Sequence, residues 1–528
     1  MNLTEKRTGA LLHTALFVLA FLFIFTSMNR SASIYDEGLI LTGAMRVEHG
    51  EIPHRDFYAN YGPAQFYVVA LLFKLFGPSV MAERFWDFAV KAAIATLGFA
   101  AVRARCRLAT AFLAYLVCVV WLAAFGSPGF PLFPATLFSL AAALLVASAK
   151  EQGRAGRGVA AAGACIGLTA LFRYDVGGLA GIALMAVLIV AGIARGERFW
   201  RIPSSPPWLF AAGAAAVFGP VALAYLVAGG SIGAFVQDVF SSSVYYTRMR
   251  SLPFPSLTAL SSAPAEAMVY FPPAAVALAV AAALRGGSAR AAGWFVPAFA
   301  AVCVALYLKG WVRMSGIHVS GAIIAGSILL PMIWKSTERA PLRTALVVIC
   351  AALAAVPTFF ALMATLRIAA ANLPFVAAFL ARGTASCASP VDLQPVACIA
   401  VDEPRAAVIR FIVRHLPGDQ RLLAGTARHD KIYINDNLIY FATQRLPATH
   451  WHHYDPGLQT RADIQNAMVD ELERQAIRYV VLTPEWDNVM EPNASALSSG
   501  VTILDDYLRR HYETVQQYGP ISILARAE

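Results

Sequence analysis

The chain has 528 residues, 58% of them hydrophobic and 14% charged, with a formal net charge of +10. An ordinary soluble globular protein carries about 25% charged residues, so this composition excludes one. The positive residues lie in short clusters between apolar segments rather than in a basic tract with interleaved aromatics, which excludes a nucleic-acid binder and predicts a polytopic α-helical membrane protein embedded in the lipid bilayer.

Eleven apolar segments read as spans: 9–28, 79–101, 108–125, 131–149, 158–172, 177–194, 208–229, 265–284, 291–308, 319–334 and 344–366. Basic residues crowd every second connection. Lys6 and Arg7 precede the first span, and Arg103, Arg105 and Arg107 follow the second. The series continues with Lys150, Arg154 and Arg157, then Arg195, Arg198 and Arg201, then Arg285 and Arg290, then Lys335, Arg339 and Arg343. The positive-inside rule assigns all of them to the cytoplasm. One miscounted span would destroy the alternation. The N-terminus is then cytoplasmic, while 29–78, 230–264, 309–318 and everything after about residue 367 face outside. No small-residue cleavage site follows Leu11–Met28, so that segment reads as a span rather than a cleaved signal.

The first outer loop, 29–78, opens with adjacent carboxylates, Asp36 and Glu37. Apolar residues from Leu39 to Val47 make a helical stripe that Glu51-Ile52-Pro53 ends. "PAQFYVVALLFKLFG" from Pro63 makes a second helix, closed by Gly77-Pro78. Both read as helices lying along the membrane surface. Asp36 or Ser33 then caps the first helix, and both carboxylates sit where unpaired N–H groups and the helix dipole favour the ionised form. An ionised carboxylate at the mouth of a membrane cavity suits a general base. The plain alternative is an ordinary capping pattern.

Cations are scarce in the outer loops, so Arg55, Arg248, Arg250, Lys309 and Arg313 are candidates for gripping a phosphate. The alternative is interfacial snorkelling. Asp56 either meets a substrate or pairs with Arg55. Arg173 and Asp175, in "FRYDVGG", line a cavity or pair with each other. Tyr245 and Tyr246 stack on a sugar or lipid head group, or belong to an interfacial aromatic belt. His450, His452, His453 and Asp455 in "THWHHYDP" lack the spacing of a closed metal site, and read instead as a loop facing the membrane cavity. Cys387 and Cys398 are either bridged or two free thiols.

From Val401 the pattern changes. "PRAAVIRFIVRHL", "TRADIQNAMVDELERQ" and "VTILDDYLRRHY" read as helices. "RLLAG", "RYVVLTP" and the pair "ETVQQYG" and "ISILAR" read as strands. The expected organisation is a membrane domain over 1–366, a linker over 367–400 and a C-terminal α/β domain over 401–528.

Three segments carry a resemblance: "YDEG" at 35–38, "GEIPHRDFYANYGPAQFYVVALLFKLFG" at 50–77 and "RFWDFAVKAA" at 84–93. With the span pattern, they resemble the membrane-embedded glycosyltransferases of the GT-C fold, nearest the protein mannosyltransferase and aminoarabinose transferase group of bacteria. "RMSGIH" keeps Arg313 and His318 of a later motif but has Ser315 where an acid is expected. The resemblance implies a transferase of the bacterial inner membrane. It takes a sugar from a polyprenyl-phosphate donor and passes it to a glycan, lipid or protein acceptor on the periplasmic side. Asp36 is implied as the base and Glu37 as its positioning partner. The anomeric carbon inverts and polyprenyl phosphate leaves. No metal or other cofactor is implied, because the leaving group is already a phosphate. Arg55, Asp56, Tyr61, Arg173, Asp175, Tyr245, Tyr246, Arg248, Arg313 and His318 are the candidates for binding donor phosphate and substrate. Two rival readings are a transporter or flippase of lipid-linked sugars, whose paired broken helices are not seen here, and a non-catalytic envelope assembly protein.

Overall fold

The computed structural model describes residues 3–151, 155–194, 196, 204–256, 264–284, 293–337, 341–387 and 391–527. Each expected span is helical. They are α1 (Leu3–Thr26), α4 (Val80–Arg103), α5 (Leu108–Ala124), α6 (Leu132–Glu151), α7 (Ala155–Phe172), α8 (Tyr174–Ile193) and α9 (Pro206–Val227). They continue with α13 (Phe271–Leu284), α14 (Phe295–Lys309), α15 (Ser320–Thr337) and α16 (Pro341–Arg382). By length and composition, six of them are long and apolar enough to cross a membrane, and the other five are shorter apolar helices. Of the basic residues used to orient them, Arg154, Arg195, Arg198, Arg201, Arg285, Arg290 and Arg339 lie outside the described residues.

Small residues set the close helix contacts. A Cβ on Gly163 of α7 would meet the Phe210 carbonyl oxygen at 1.9 Å, and one on Gly213 of α9 would meet that of Ala160 at 2.0 Å. This is the backbone approach that glycine permits between membrane helices. Helix α16 runs 42 residues, well beyond the expected end of its span at 366. The alanine-rich stretch after 366 continues the helix, so the first half of the expected linker is helical. Asn372 fastens this extension by donating to Thr26 O at 2.9 Å and Met28 O at 2.8 Å, carbonyls that the end of α1 leaves open. Cys387 and Cys398, beyond it, are disulfide-bonded.

Outside the span bundle, the first loop forms α2 (Asp36–Glu48) and α3 (Ala64–Phe76). The loop after α9 forms α10 (Ile232–Val236), a π turn, α11 (Ser242–Arg250) and, before α13, α12 (Pro264–Ala267). The C-terminal part holds α17 (Glu403–His415), α18 (Leu438–Thr443), α19 (Ala462–Arg474) and α20 (Ile503–His511). Its strands are β1 (Leu423–Thr426), β2 (Tyr479–Thr483), β3 (Tyr512–Tyr518) and β4 (Ile521–Arg526), in the order β1-β2-β4-β3. β1 and β2 run parallel, and the other neighbours antiparallel. Alternation along β2 sends Val480 to the face covered by Met468 and Leu504, and Val481 to the face covered by Ile409 and Ile412.

That second face is where the first loop docks. Leu39, Ile40, Met45 and Phe66 share one core with Ile409, Leu438 and Val481. Residues Glu37 through Arg46 of α2 are all buried. Helix α2 therefore does not lie on the membrane surface as expected; it is clamped under the C-terminal domain. Gly38 permits the clamp, since a Cβ there would meet the Leu438 amide nitrogen at 2.7 Å. Thr42 Oγ1 donates to Asn437 O at 2.9 Å, and the Asn437 and Leu438 amides donate to Ile34 O at 3.0 and 3.2 Å. Helix α3 keeps Tyr67, Leu71, Leu75 and Phe76 exposed, as a surface-lying helix should.

Candidate active site

Successive helix residues point about 100° apart, so adjacent carboxylates at the start of α2 must diverge. Glu37 turns into the protein and is fully buried. Arg84 of α4 donates to it twice, Nε to Oε1 at 2.6 Å and Nη2 to Oε2 at 2.8 Å. Arg84 also donates to the carbonyls of Asn29 at 2.6 Å and Ser31 at 3.0 Å, while the Ser33 amide donates to Glu37 at 3.1 Å. Glu37 is therefore a buried anchor for the loop, not a group facing substrate. The cap itself is Tyr35, neither Ser33 nor Asp36.

The Asp36 carboxylate has no hydrogen-bond partner among the described residues. Burial pushes its carboxyl above the ordinary aspartate value, although Arg250, His453 and Arg313 pull the other way. The helix start was expected to favour the ionised form; burial outweighs the surrounding charge and shifts the carboxyl the other way.

Arg250, Arg313 and Lys309 lie within electrostatic reach of this carboxylate, with Arg173 beside Lys309 and His318, and all four were candidates from the sequence. Arg250 ends α11, is 5% exposed, donates to Tyr433 O at 2.7 Å and lies 3.8 Å from Asp455. Of the two candidates on α11, Arg248 is exposed and Arg250 is the one that turns inward. Lys309 ends α14 over the Phe130 ring at 5.2 Å, within the electrostatic reach of Asp36. Arg173 lies over Tyr61 at 4.8 Å and holds Asp175 through bonds of 2.9 and 2.6 Å. Of its two readings, the ion pair with Asp175 is the one the structure shows. Arg313 donates to Glu491 at 2.8 Å and to Arg250 O at 3.1 Å. Glu491, from the C-terminal domain, pairs with the arginine of the "RMSGIH" segment, whose own acid position is Ser315. His318 lies edge-on to Phe130 and 2.7 Å from Ser315 Oγ. Burial first, then Lys309, Arg313, Arg173 and Arg250, push its pKa well below the usual value, so the imidazole is neutral.

The "THWHHYDP" loop closes the other side. Tyr35 OH lies 2.9 Å from His453 Nε2 and donates to Tyr454 O at 3.0 Å. Tyr58 OH donates to Asp455 Oδ2 at 3.1 Å, and His453 Nε2 lies 3.3 Å from the same oxygen. Burial alone would raise the Asp455 carboxyl, but His453, Arg250 and the Tyr58 hydrogen bond hold it well below the carboxylate range. Among the described residues no three His, Cys, Asp or Glu side chains gather as metal ligands.

Arg55 and Asp56 are not brought to Asp36. They pair with each other, Nη2 to Oδ2 at 2.7 Å, and Asp56 also accepts the Ile52 amide at 2.7 Å. Arg55 instead lines a separate cavity of about 330 Å³ between the first loop, the π turn and the C-terminal domain. The side chains of Tyr245 and Tyr246 lie outside the described residues.

No protein-family model and no curated protein sequence matches the chain. Solved structures do. ArnT from Cupriavidus metallidurans in the apo state superposes with a TM-score of 0.56 at 13% identity, covering 99% of this chain and 98% of that one. The same protein bound to undecaprenyl phosphate gives 0.52 at 15%, covering 98% of each. The oligosaccharyltransferase AglB from Archaeoglobus fulgidus, in complex with an inhibitory peptide and a dolichol-phosphate, gives 0.54 at 11%, covering 98% of this chain and 75% of that one. The chain has the GT-C fold. The expected architecture of membrane helices with a C-terminal domain is thereby established over nearly its whole length.

Proposed function

We propose that this protein is an inverting glycosyltransferase that moves a sugar from a polyprenyl-phosphate donor to a glycan, lipid or protein acceptor at the outer face of a bacterial inner membrane. The observation that carries this reading is the Asp36 carboxylate, with no hydrogen-bond partner among the described residues, set near Arg250, Arg313 and Lys309, with Arg173 next to Lys309. Two likenesses support the donor class: one GT-C neighbour binds undecaprenyl phosphate and the other a dolichol-phosphate. The alternating basic loops and the disulfide after α16 support a cytoplasmic N-terminus and a periplasmic C-terminal domain.

The donor phosphate lies against the four cations, where charge-assisted hydrogen bonds hold it and stabilise the charge that builds on it as the sugar leaves. Asp36 takes the proton from the acceptor hydroxyl. The hydroxyl oxygen bonds to the anomeric carbon as the bond to the phosphate oxygen breaks, and that oxygen keeps the electron pair. Neutral His318 offers a hydrogen bond without adding charge. The phosphate is a good leaving group beside four cations, so the reaction as proposed uses no cofactor. Glu37, through Arg84, fixes the start of α2 and hence the place of Asp36. Tyr61 supports Arg173. Asp36→Asn tests the reading: the protein should purify folded with its lipid-linked sugar attached, visible by mass spectrometry, and should not transfer it. Normal transfer by that variant would sink the assignment of the base.

A further inference from the structure

The cavity of about 330 Å³ has no role in the steps above. Its size falls within the range of about 300–1,000 Å³ typical of small-molecule sites. Three distant segments wall it: the first loop with His54 and Tyr58, the π turn with Asp238, and the C-terminal domain with Trp451 and Glu471. His54 is a buried non-glycine residue at φ 66°, fixed by Asp238 at 3.0 Å and Tyr174 at 3.2 Å. Backbone held in that region persists only where the surroundings over-determine it, as they do at ligand clamps.

The charges say what fits. His54 faces Asp238, Arg55 carries Asp56 at 2.7 Å, and Arg461 carries Asp463 at 2.6 Å. These paired charges leave little counter-charge for a phosphate or a carboxylate. What the walls present instead is the indole of Trp451, the ring of Tyr58 and the Glu471 carboxylate, one oxygen of which accepts the His450 amide at 2.9 Å. An aromatic face beside hydrogen-bonding groups suits a sugar ring, with its apolar face and its edge of hydroxyls. Tyr58 both lines the cavity and donates to Asp455, so one side chain links the cavity to the groups beside Asp36.

We propose that this cavity binds a neutral saccharide portion of the acceptor, stacked on Trp451 with its hydroxyls on Glu471 and the His54–Asp238 pair. The proposal rests on the transferase reading and adds the acceptor class to it.

The test uses the full-length protein in lipid nanodiscs and saturation-transfer NMR. The probes are neutral manno-, galacto- and xylotetraose, an oligogalacturonate of equal length and a serine-containing hexapeptide. At least one neutral tetraose should bind. Trp451→Ala should weaken it about tenfold, and Glu471→Gln should weaken it in a protein whose thermal midpoint is unchanged. Asp36→Asn should leave binding intact. The proposal is overturned if no neutral tetraose binds, if only the acidic oligosaccharide or the peptide does, or if both cavity variants bind like the parent. Saccharide binding without transfer by the parent protein would instead overturn the transferase reading alone.

Discussion

Asp36 and Glu37 are neighbours of the same chemistry, and the structure predicts opposite consequences for removing their charges. Glu37→Gln strips the charge from a pair in which both side chains are essentially without solvent. The Arg84 guanidinium is then buried without its counter-ion, and breaking such a pair costs about 3–5 kcal/mol. The two carbonyls that Arg84 serves are put at risk with it. Asp36→Asn removes no hydrogen bond made to a described residue. Because burial raises its pKa, the ionised carboxylate is a net cost to the folded state at neutral pH, so the change should leave stability within about 0.5 kcal/mol or slightly raise it. Equilibrium unfolding in mixed micelles, followed by tryptophan fluorescence, reads both. A loss below about 1 kcal/mol for Glu37→Gln, or equal losses for the two variants, would refute the division of labour between them.

Arg250→Gln and Lys309→Gln should each weaken donor use by about 10–100-fold in kcat/KM, the worth of one charge-assisted contact, whereas Arg248→Gln should match the parent; steady-state kinetics separate the three. His450, pushed down to about 4 by burial and then by Arg46, binds fewer protons folded than unfolded between about 4 and its ordinary 6.5. Stability should therefore fall as pH drops through that window, and His450→Asn should flatten the slope of thermal midpoint against pH. Replacing Cys387 and Cys398 with serine opens a short closed loop and should cost about 2–3 kcal/mol; thiol alkylation before and after reduction checks that the bridge exists in the purified protein.

The spans were legible because apolar length and alternating basic loops are long-range patterns that one chain displays in full. The helices and strands after Val401 were legible for the same reason of periodicity. Helix α18 was not: its six residues are too few to show a period, and its role is to meet α2 across nearly 400 positions of chain. The two orientations that matter most at the site escaped for a related cause. Glu37 could be separated from Asp36 only by its partner, and Arg84 stands 47 residues further on. Arg248 and Arg250 differ only in helix phase, and polar residues on both sides of α11 hide which face turns inward. Asp455 lies in the loop already expected to face the site, but Glu491 reaches Arg313 from a separate domain, a contact that no local spacing announces. Helix α2 reads as amphipathic whether its apolar face meets lipid or protein, which is why its burial under the C-terminal domain came from the fold alone.

The central claim is that Asp36 deprotonates the acceptor while the lipid phosphate leaves. The direct measurement is release of polyprenyl phosphate in proteoliposomes loaded with the lipid-linked sugar and an acceptor, with donor binding measured on the same samples. Asp36→Asn should slow release by about 10²–10⁴-fold, the usual worth of a general base, while binding the donor as tightly as the parent. Release at the parental rate, with donor bound normally, would contradict the account.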